Sequence, residues 1–73
     1  MVLIMNTDFC STSGDFLNRL KWFPEIKIVY YRKSKGLLFY LYFKAYGSLY
    51  VMLYALQSDI DYFRGLGFTV VED

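Results

Sequence analysis

The ionisable side chains of this sequence offer little for acid–base catalysis. Histidine, the side chain whose ordinary pKa best suits proton transfer near neutral pH, is absent. Asp59 and Asp61 lie close in sequence, but side chains two residues apart on a helix do not share a face. We interpret both carboxylates as first-turn partners of a helix dipole, and we predict that the protein is not an enzyme.

The single cysteine, Cys10, opens the stretch Cys-Ser-Thr-Ser-Gly at residues 10–14. A polar stretch before a helix can hold an anion at the helix N-terminus. The cysteine phosphatase arrangement would need an arginine six positions after the cysteine, where this chain has Phe16. We therefore predict a capping loop with an inert thiol and with Ser13 as the helix N-cap. One thiol without histidine forms neither an internal disulfide nor a structural zinc site, so no cofactor is expected.

Charge is distributed unevenly along the chain, although the net charge is only +1. Residues 26–56 carry five basic residues and no acidic one, whereas the rest carries three basic and seven acidic residues. We therefore expect a basic surface on the middle of the fold. The hydrophobic content of 56% exceeds the ordinary range of about 45–50%, which indicates a dense core or a partner-binding surface.

The length of 73 residues predicts one α+β domain spanning residues 1–73. The first residues, MVLIMNTD, have no basic region, and their apolar run is too short for a signal peptide. We therefore expect a cytoplasmic protein that acts neither in a membrane nor on a small-molecule substrate.

Residues 37–56, LLFYLYFKAYGSLYVMLYAL, contain one charged side chain, Lys44. As a membrane-spanning helix they would carry that lysine near the centre, at a cost of ~2.5–3.5 kcal/mol. The side chains instead alternate with a period of two, which predicts two strands. We predict a three-residue loop at 45–47 between them, and a two-residue loop at 34–35 that joins them to a preceding strand at 26–33.

The remaining segments complete the order β-α-β-β-β-α-β, a two-layer α+β sandwich with a central antiparallel meander and both helices on one face. The predicted elements are a strand at 2–5, a loop at 6–14, a helix at 15–23 stopped by Pro24, a helix near 59–65 capped by Ser58, and a strand at 68–71. The alternative makes residues 48–66 one long helix and gives the ferredoxin-like order β-α-β-β-α-β.

The predicted loop lengths place the tyrosines of the meander on one face and the aliphatic and phenylalanine side chains on the other. Because two short helices cover one face only, we expect the tyrosine face to stay open. The predicted partner-binding residues on that face are Tyr31, Tyr40, Tyr42, Tyr50, Met52, Tyr54, Lys27, Lys33 and Lys44. Trp22 is predicted either to pack over Pro24 and the sheet edge or to be an exposed anchor beside Arg19.

We expect a small protein-binding module whose tyrosine face contacts a protein partner or a second copy in a homodimer. In length and aromatic content the chain resembles small phage-encoded inhibitors of host proteins, which implies a viral inhibitor. In a second interpretation, a terminal segment or a loop folds over the tyrosine face, which is then a second small core of the domain. A third is binding of single-stranded RNA through the same face. Residues 35–43, KGLLFYLYF, resemble the RNA-recognition-motif signature at four positions but depart from it at Leu37, Leu38 and Tyr40, so no family is assigned.

Overall fold

The computed structural model describes residues 6–73 as one five-stranded sheet with two helices. The elements are β1 (Asn6–Cys10), α1 (Ser13–Trp22), β2 (Ile28–Lys33), β3 (Phe39–Ala45), β4 (Ser48–Ala55), α2 (Gln57–Gly65) and β5 (Thr69–Glu72). This order confirms the predicted α+β fold and its sequence of elements. The ferredoxin-like alternative is wrong, because residues 48–55 form β4 and not the first half of a long helix.

The strands lie in the order β1-β4-β3-β2-β5. The three central strands form the predicted antiparallel meander. Each edge strand runs parallel to its neighbour: β1 pairs with β4, and β5 pairs with β2. Both parallel pairings are made by segments distant in sequence, so the meander is the local part of the sheet and the edges are its long-range part.

The first described strand lies in the segment that was predicted to be a loop. Residues 6–10 pair with residues 48–52 of β4, while the strand predicted at 2–5 lies outside the described residues. The polar side chains of β1 are tolerated because the strand is at an edge of the sheet. Asp8 accepts a hydrogen bond from the guanidinium of Arg19 at 2.8 Å, which compensates its partial burial.

Helix α1 begins one residue earlier than the predicted cap requires. The N-cap is Thr12, whose hydroxyl oxygen accepts a hydrogen bond from the Asp15 N–H at 3.1 Å, so the predicted Ser13 cap is wrong. Phe16 and Leu20, four residues apart, are the buried side chains of the helix. The helix ends at Trp22, before Pro24.

Helix α2 starts at Gln57, and Ser58 lies inside its first turn, so the predicted Ser58 cap is also wrong. The Asp59 carboxylate accepts a hydrogen bond from the Leu56 N–H at 2.8 Å. At the other end, Gly67 adopts φ +103°, and the N–H of Phe68 donates to the carbonyl oxygen of Phe63. This is a Schellman cap, and the rings of Phe63 and Phe68 make its accompanying apolar contact at 6.2 Å.

Both helices pack on the same face of the sheet. Phe16 of α1 lies at the centre of the core, with its ring 5.3 Å from that of Phe43 on β3 and 5.4 Å from that of Phe63 on α2. The edge-to-face geometry of both contacts is the arrangement that aromatic rings prefer. One aromatic side chain therefore joins the two helices to the sheet.

The turn between β3 and β4 has two residues, Tyr46 and Gly47, and not the predicted three. Both have positive φ, 50° and 81°, as in the turn type that matches the twist of a hairpin. A positive φ is uncommon for a bulky residue such as tyrosine. The Tyr46 hydroxyl donates a hydrogen bond to the Glu25 carboxylate, and its ring lies 5.6 Å from that of Phe23. These contacts offset the backbone strain.

The connection between β2 and β3 is longer than the predicted two residues. The Ser34 N–H donates to the Leu38 carbonyl oxygen, which leaves residues 35–37 as the loop, with Gly36 at φ +58°. Tyr30 therefore pairs with Tyr42, and Phe43 pairs with Tyr50. A shift of the pairing by an odd number of residues exchanges the two faces of a strand. On both β2 and β4, the side chains predicted to share a face with Tyr42 of β3 therefore lie on the opposite face.

Candidate functional site

The sheet face opposite the helices, which we call the open face, carries a row of apolar and aromatic side chains across all five strands. Paired residues of neighbouring strands share a face. The observed pairs therefore align Phe9, Val51, Tyr42, Tyr30 and Val71 in one row. Phe9 at one end is 62% exposed, whereas Val51, flanked by Phe9 and Tyr42, is only 6% exposed.

Further apolar side chains extend this row along the strands. Ile28 lies two residues before Tyr30 on β2 and is 46% exposed. Leu49 lies two residues before Val51 on β4 and is half-buried. Side chains two residues apart on a strand point to the same face, so both belong to the open face. The apolar patch is therefore continuous in both directions of the sheet.

Two grooves follow the open face, and both are lined by Tyr42, Lys44 and Asp73. The larger has a volume of about 660 Å³ and is also lined by Lys27, Ile28 and Tyr30 among others. The smaller has a volume of about 270 Å³, and its other lining residues are Arg32, Tyr40, Leu49 and Val51. Each groove thus places cationic side chains beside aromatic and apolar ones.

Tyr42 is held in place from two sides. Its hydroxyl donates a hydrogen bond to the Asp73 carboxylate, and its ring stacks on that of Tyr30 at 5.5 Å and 24°. Burial raises the pKa of Tyr42 to about 12, and the hydrogen bond and negative charge of Asp73 act in the same direction. Tyr42 therefore stays neutral and fixed at the centre of the open face.

Within residues 6–73, the cations of the open face make no ion pair with a carboxylate. Among residues 6–73 the one ion pair joins Arg19 to Asp8, on the helix side of the sheet. Lys27, Arg32 and Lys44 make none within that part of the chain. The Asp73 carboxylate lines the same grooves but accepts its hydrogen bond from Tyr42. The smaller groove therefore has two cations, Arg32 and Lys44, and one acid, Asp73, whereas the larger has Lys27 and Lys44 together with Glu25 and Asp73.

The structure separates the predicted partner-binding residues into two groups. Tyr40, Tyr42 and Lys44 lie on the open face, and Lys27 lies at its rim. Tyr31, Tyr50 and Met52 instead face the helices: all three pack in or against the core, and Tyr50 is only 8% exposed. Their predicted place on a shared tyrosine face is wrong, because the two connecting loops have other lengths than predicted.

Lys33 and Tyr54 lie near the end of the sheet where β2 meets its loop. Lys33 lines a groove of about 350 Å³ with Leu37 and Leu56. Tyr54 has φ +60° and is 74% exposed, in the segment of β4 where the pairing with β3 shifts register. Tyr54 is therefore an exposed side chain at an irregular position of the strand, and it makes no described contact with the row.

Trp22 lies on the helix side of the sheet and is 59% exposed. The Arg19 guanidinium is 4.9 Å from the centre of its ring, and the ring meets that of Tyr50 edge-on at 6.3 Å. This position is beside Arg19, as in the exposed-anchor interpretation, and its role as an anchor stays a prediction.

Cys10 is buried at the end of β1, and burial raises the pKa of its thiol. The loop after it caps α1 through Thr12, as described above. Within residues 6–73, no three histidine, cysteine or carboxylate side chains are grouped so that they could hold a metal ion. Neither helix of the described chain is long and apolar enough to cross a membrane.

Seven residues of the open face were not among the predicted partner-binding residues: Phe9, Ile28, Tyr30, Arg32, Leu49, Val51 and Val71. On β2 both alternating sets of side chains are apolar, so hydropathy does not say which set faces the helices. The one available signal was the pair Tyr46-Gly47, whose glycine permits a two-residue turn.

Comparisons with protein-family models, with curated proteins and with solved structures find no match to this chain. Its function must therefore be inferred from the geometry of its own residues.

Proposed function

We propose that this protein is a small binding module that acts on a protein partner through the open face. The row formed by Phe9, Val51, Tyr42, Tyr30 and Val71 supports this proposal. It leaves Phe9 exposed to water on one side of the sheet and Tyr30 and Val71 on the other. Removing apolar surface from water contributes roughly 25 cal/mol per Å², and exposed patches of a few hundred Å² normally mark interaction sites.

The composition of the face is also typical of protein interfaces. Tyrosine and arginine are enriched in such interfaces, and this face carries Tyr30, Tyr40, Tyr42 and Arg32. The stacked rings of Tyr30 and Tyr42 provide a rigid surface that loses little conformational entropy on binding. The module acts by occupying a surface of its partner, as an inhibitor does, and not by catalysis.

A double variant of the open face tests the proposal. Ile28→Ser with Tyr30→Ala removes two exposed side chains of the larger groove. The tagged variant should recover at least tenfold less of the protein that co-purifies with the wild type from its native host. Binding should then be measured with that partner purified.

Tyr62→Ala is the matched control, because Tyr62 is a comparably exposed aromatic side chain on α2. It should bind the partner as the wild type does. Equal recovery by the double variant and the control would contradict the proposal. Loss of the far-ultraviolet circular dichroism of the double variant would instead indicate that the face is a minor core.

Binding of single-stranded RNA is the second candidate, supported by the unpaired Arg32 and Lys44 beside Tyr40 in the smaller groove. It predicts that a labelled oligonucleotide binds at ~50 mM salt and that the logarithm of its association constant falls linearly with the logarithm of salt concentration. Lys44→Gln should reduce that slope. Fluorescence anisotropy measures both effects, and no binding at ~50 mM salt eliminates this candidate.

A further inference from the structure

We infer that the partner presents an extended acidic segment, with one carboxylate on each side of an apolar side chain. This inference rests on the proposed function and specifies the chemistry of the partner. It combines three observations: the unpaired cations, the distance between Arg32 and Lys44 along the strand direction, and the apolar row between these two residues.

The unpaired cations indicate that the partner is negatively charged where it contacts this face. Lys27, Arg32 and Lys44 line the two grooves and make no ion pair within residues 6–73. At an interface, a carboxylate opposite each cation supplies electrostatic complementarity and raises the association rate. A second copy of this chain would bring the same cations together with the acids Glu25 and Asp73, whereas an acidic segment supplies carboxylates alone.

The register of the sheet sets the spacing of those carboxylates. Arg32 pairs with Tyr40, which precedes Lys44 by four positions on β3. At a rise of about 3.3 Å per residue, the two cations lie about 13 Å apart along the strand direction. On an extended ligand the same distance separates residues i and i+4, whose side chains share one face.

The apolar row between the cations selects a protein ligand over a nucleic acid. Tyr42 lies midway between the Arg32 and Lys44 positions, in line with Val51 and Tyr30. Its ring is stacked on Tyr30, so that one ring face is already used. The exposed aliphatic side chains of Ile28 and Val71 need an apolar counterpart, which a protein side chain at i+2 provides and a sugar–phosphate backbone does not.

Three peptides test this pattern in a nuclear magnetic resonance titration of the isotope-labelled protein. The probe is acetyl-Ser-Leu-Ser-Glu-Ser-Leu-Ser-Glu-Ser-Leu-Ser-amide. The first control replaces both glutamates by lysine, and the second keeps the composition but places the glutamates next to each other. The probe should shift the amide signals of Arg32, Tyr42 and Lys44 and bind at least tenfold tighter than either control. Equal binding of the probe and the lysine peptide would overturn the inference.

Charge variants test the same contacts from the side of the protein. Arg32→Glu with Lys44→Glu should weaken binding of the probe at least tenfold. Lys21→Glu, a single charge reversal at an exposed position of α1, should not, and the single variant Lys44→Glu, with the same change of charge, should weaken binding more than Lys21→Glu does. Asp73→Asn should tighten binding, because it removes a negative charge from both grooves and releases the Tyr42 hydroxyl.

The host partner separates this inference from the function on which it rests. If the Arg32/Lys44 variant binds that partner as the wild type does while the Ile28/Tyr30 variant does not, the inference is wrong and the proposed function stands. If both variants bind it normally, the proposed function is wrong as well. Displacement of the probe by a single-stranded oligonucleotide would also overturn the inference. So would a wild-type dimer, detected by analytical ultracentrifugation, that is absent in the Ile28/Tyr30 variant.

Discussion

Tyr42 takes part in a hydrogen bond, a ring-stacking contact and a charge interaction on the open face. Its hydroxyl donates to Asp73, its ring stacks on Tyr30, and Arg32 lies near enough to lower its pKa slightly against the larger effects that raise it. Asp73 thereby reaches across β2 to a residue of β3. At the scale of single residues, this contact fixes the shape of both grooves.

The raised pKa gives a prediction for alkaline pH. Because the pKa of Tyr42 is about 12 in the folded protein and 10.0 ordinarily, folding favours the neutral phenol. The resulting stability is fully present below pH 10 and is lost as the pH rises to about 12. The free energy of unfolding should therefore fall more steeply in this range for the wild type than for Tyr42→Phe, as measured by urea denaturation.

Asp73→Asn should move the pKa of Tyr42 down, but not back to its ordinary value, since burial is the larger cause of the shift. Tyrosinate absorbance during a pH titration, with Tyr42→Phe as the reference, measures this. Ionisation of Tyr42 together with the exposed tyrosines of the wild type would contradict the described hydrogen bond.

The turn between β3 and β4 decides which side chains reach the open face. Tyr46 and Gly47 both have positive φ, so the turn has two residues and pairs Ala45 with Ser48. With one more residue in the turn, Tyr50 and Met52 would exchange faces with Leu49 and Val51. The conformation of this one turn thus determines whether Tyr50 or Val51 lies on the open face.

Gly47→Ala should destabilise the protein by ~1–2 kcal/mol, because an L side chain at φ +81° clashes with its own backbone. Gly65→Ala is the matched control, at the end of α2 with no atom within 4 Å of the new methyl group. That change should be neutral or stabilising by up to ~1 kcal/mol, since alanine restricts the unfolded chain. Urea denaturation of both variants measures the difference, and equal destabilisation would contradict the turn geometry.

At the scale of elements, the sequence predicts more of the fold than of the site. The helical spacing of Phe16 and Leu20 and the alternation in residues 48–55 correctly predict α1 and β4. The register is different, because the alternating sets of β2 and β4 are both apolar and either could face the helices. The positive φ of Tyr46 resolves the choice, and no hydropathy pattern encodes it.

The edge strand β1 could not be predicted for a different reason. Its first three residues are polar, and the strand is held in the sheet by pairing with β4 and by the contact between Asp8 and Arg19. Both partners are distant in sequence, so no local pattern indicates them. Phe9 reaches the open face only as a consequence of this pairing.

For the molecule as a whole, one aromatic cluster provides much of the core. A chain of 73 residues is expected to have a free energy of unfolding of about 4–11 kcal/mol. Phe16 is fully buried and contacts both Phe43 and Phe63, so it connects both helices to the sheet.

Phe16→Ala should cost about 3–5 kcal/mol, through lost burial and the cavity left between the helices. That is a large part of the total, so we expect a measurable unfolded population even without denaturant. Tyr62→Ala, at an exposed position of α2, should cost less than ~0.5 kcal/mol. Equilibrium urea denaturation followed by circular dichroism measures both, and a change below 1.5 kcal/mol for Phe16→Ala would contradict the central role of its ring.

The parallel pairing of the two edge strands also determines the order in which the strands of the sheet assemble. Strand β1 pairs residue 6 with residue 48, and β5 follows α2, so neither edge can close until most of the chain is present. The central hairpins need only short loops, and local contacts of this kind form faster than distant ones. A chain emerging from the ribosome would thus display the tyrosines and cations of its three central strands before the two outer strands seal the edges.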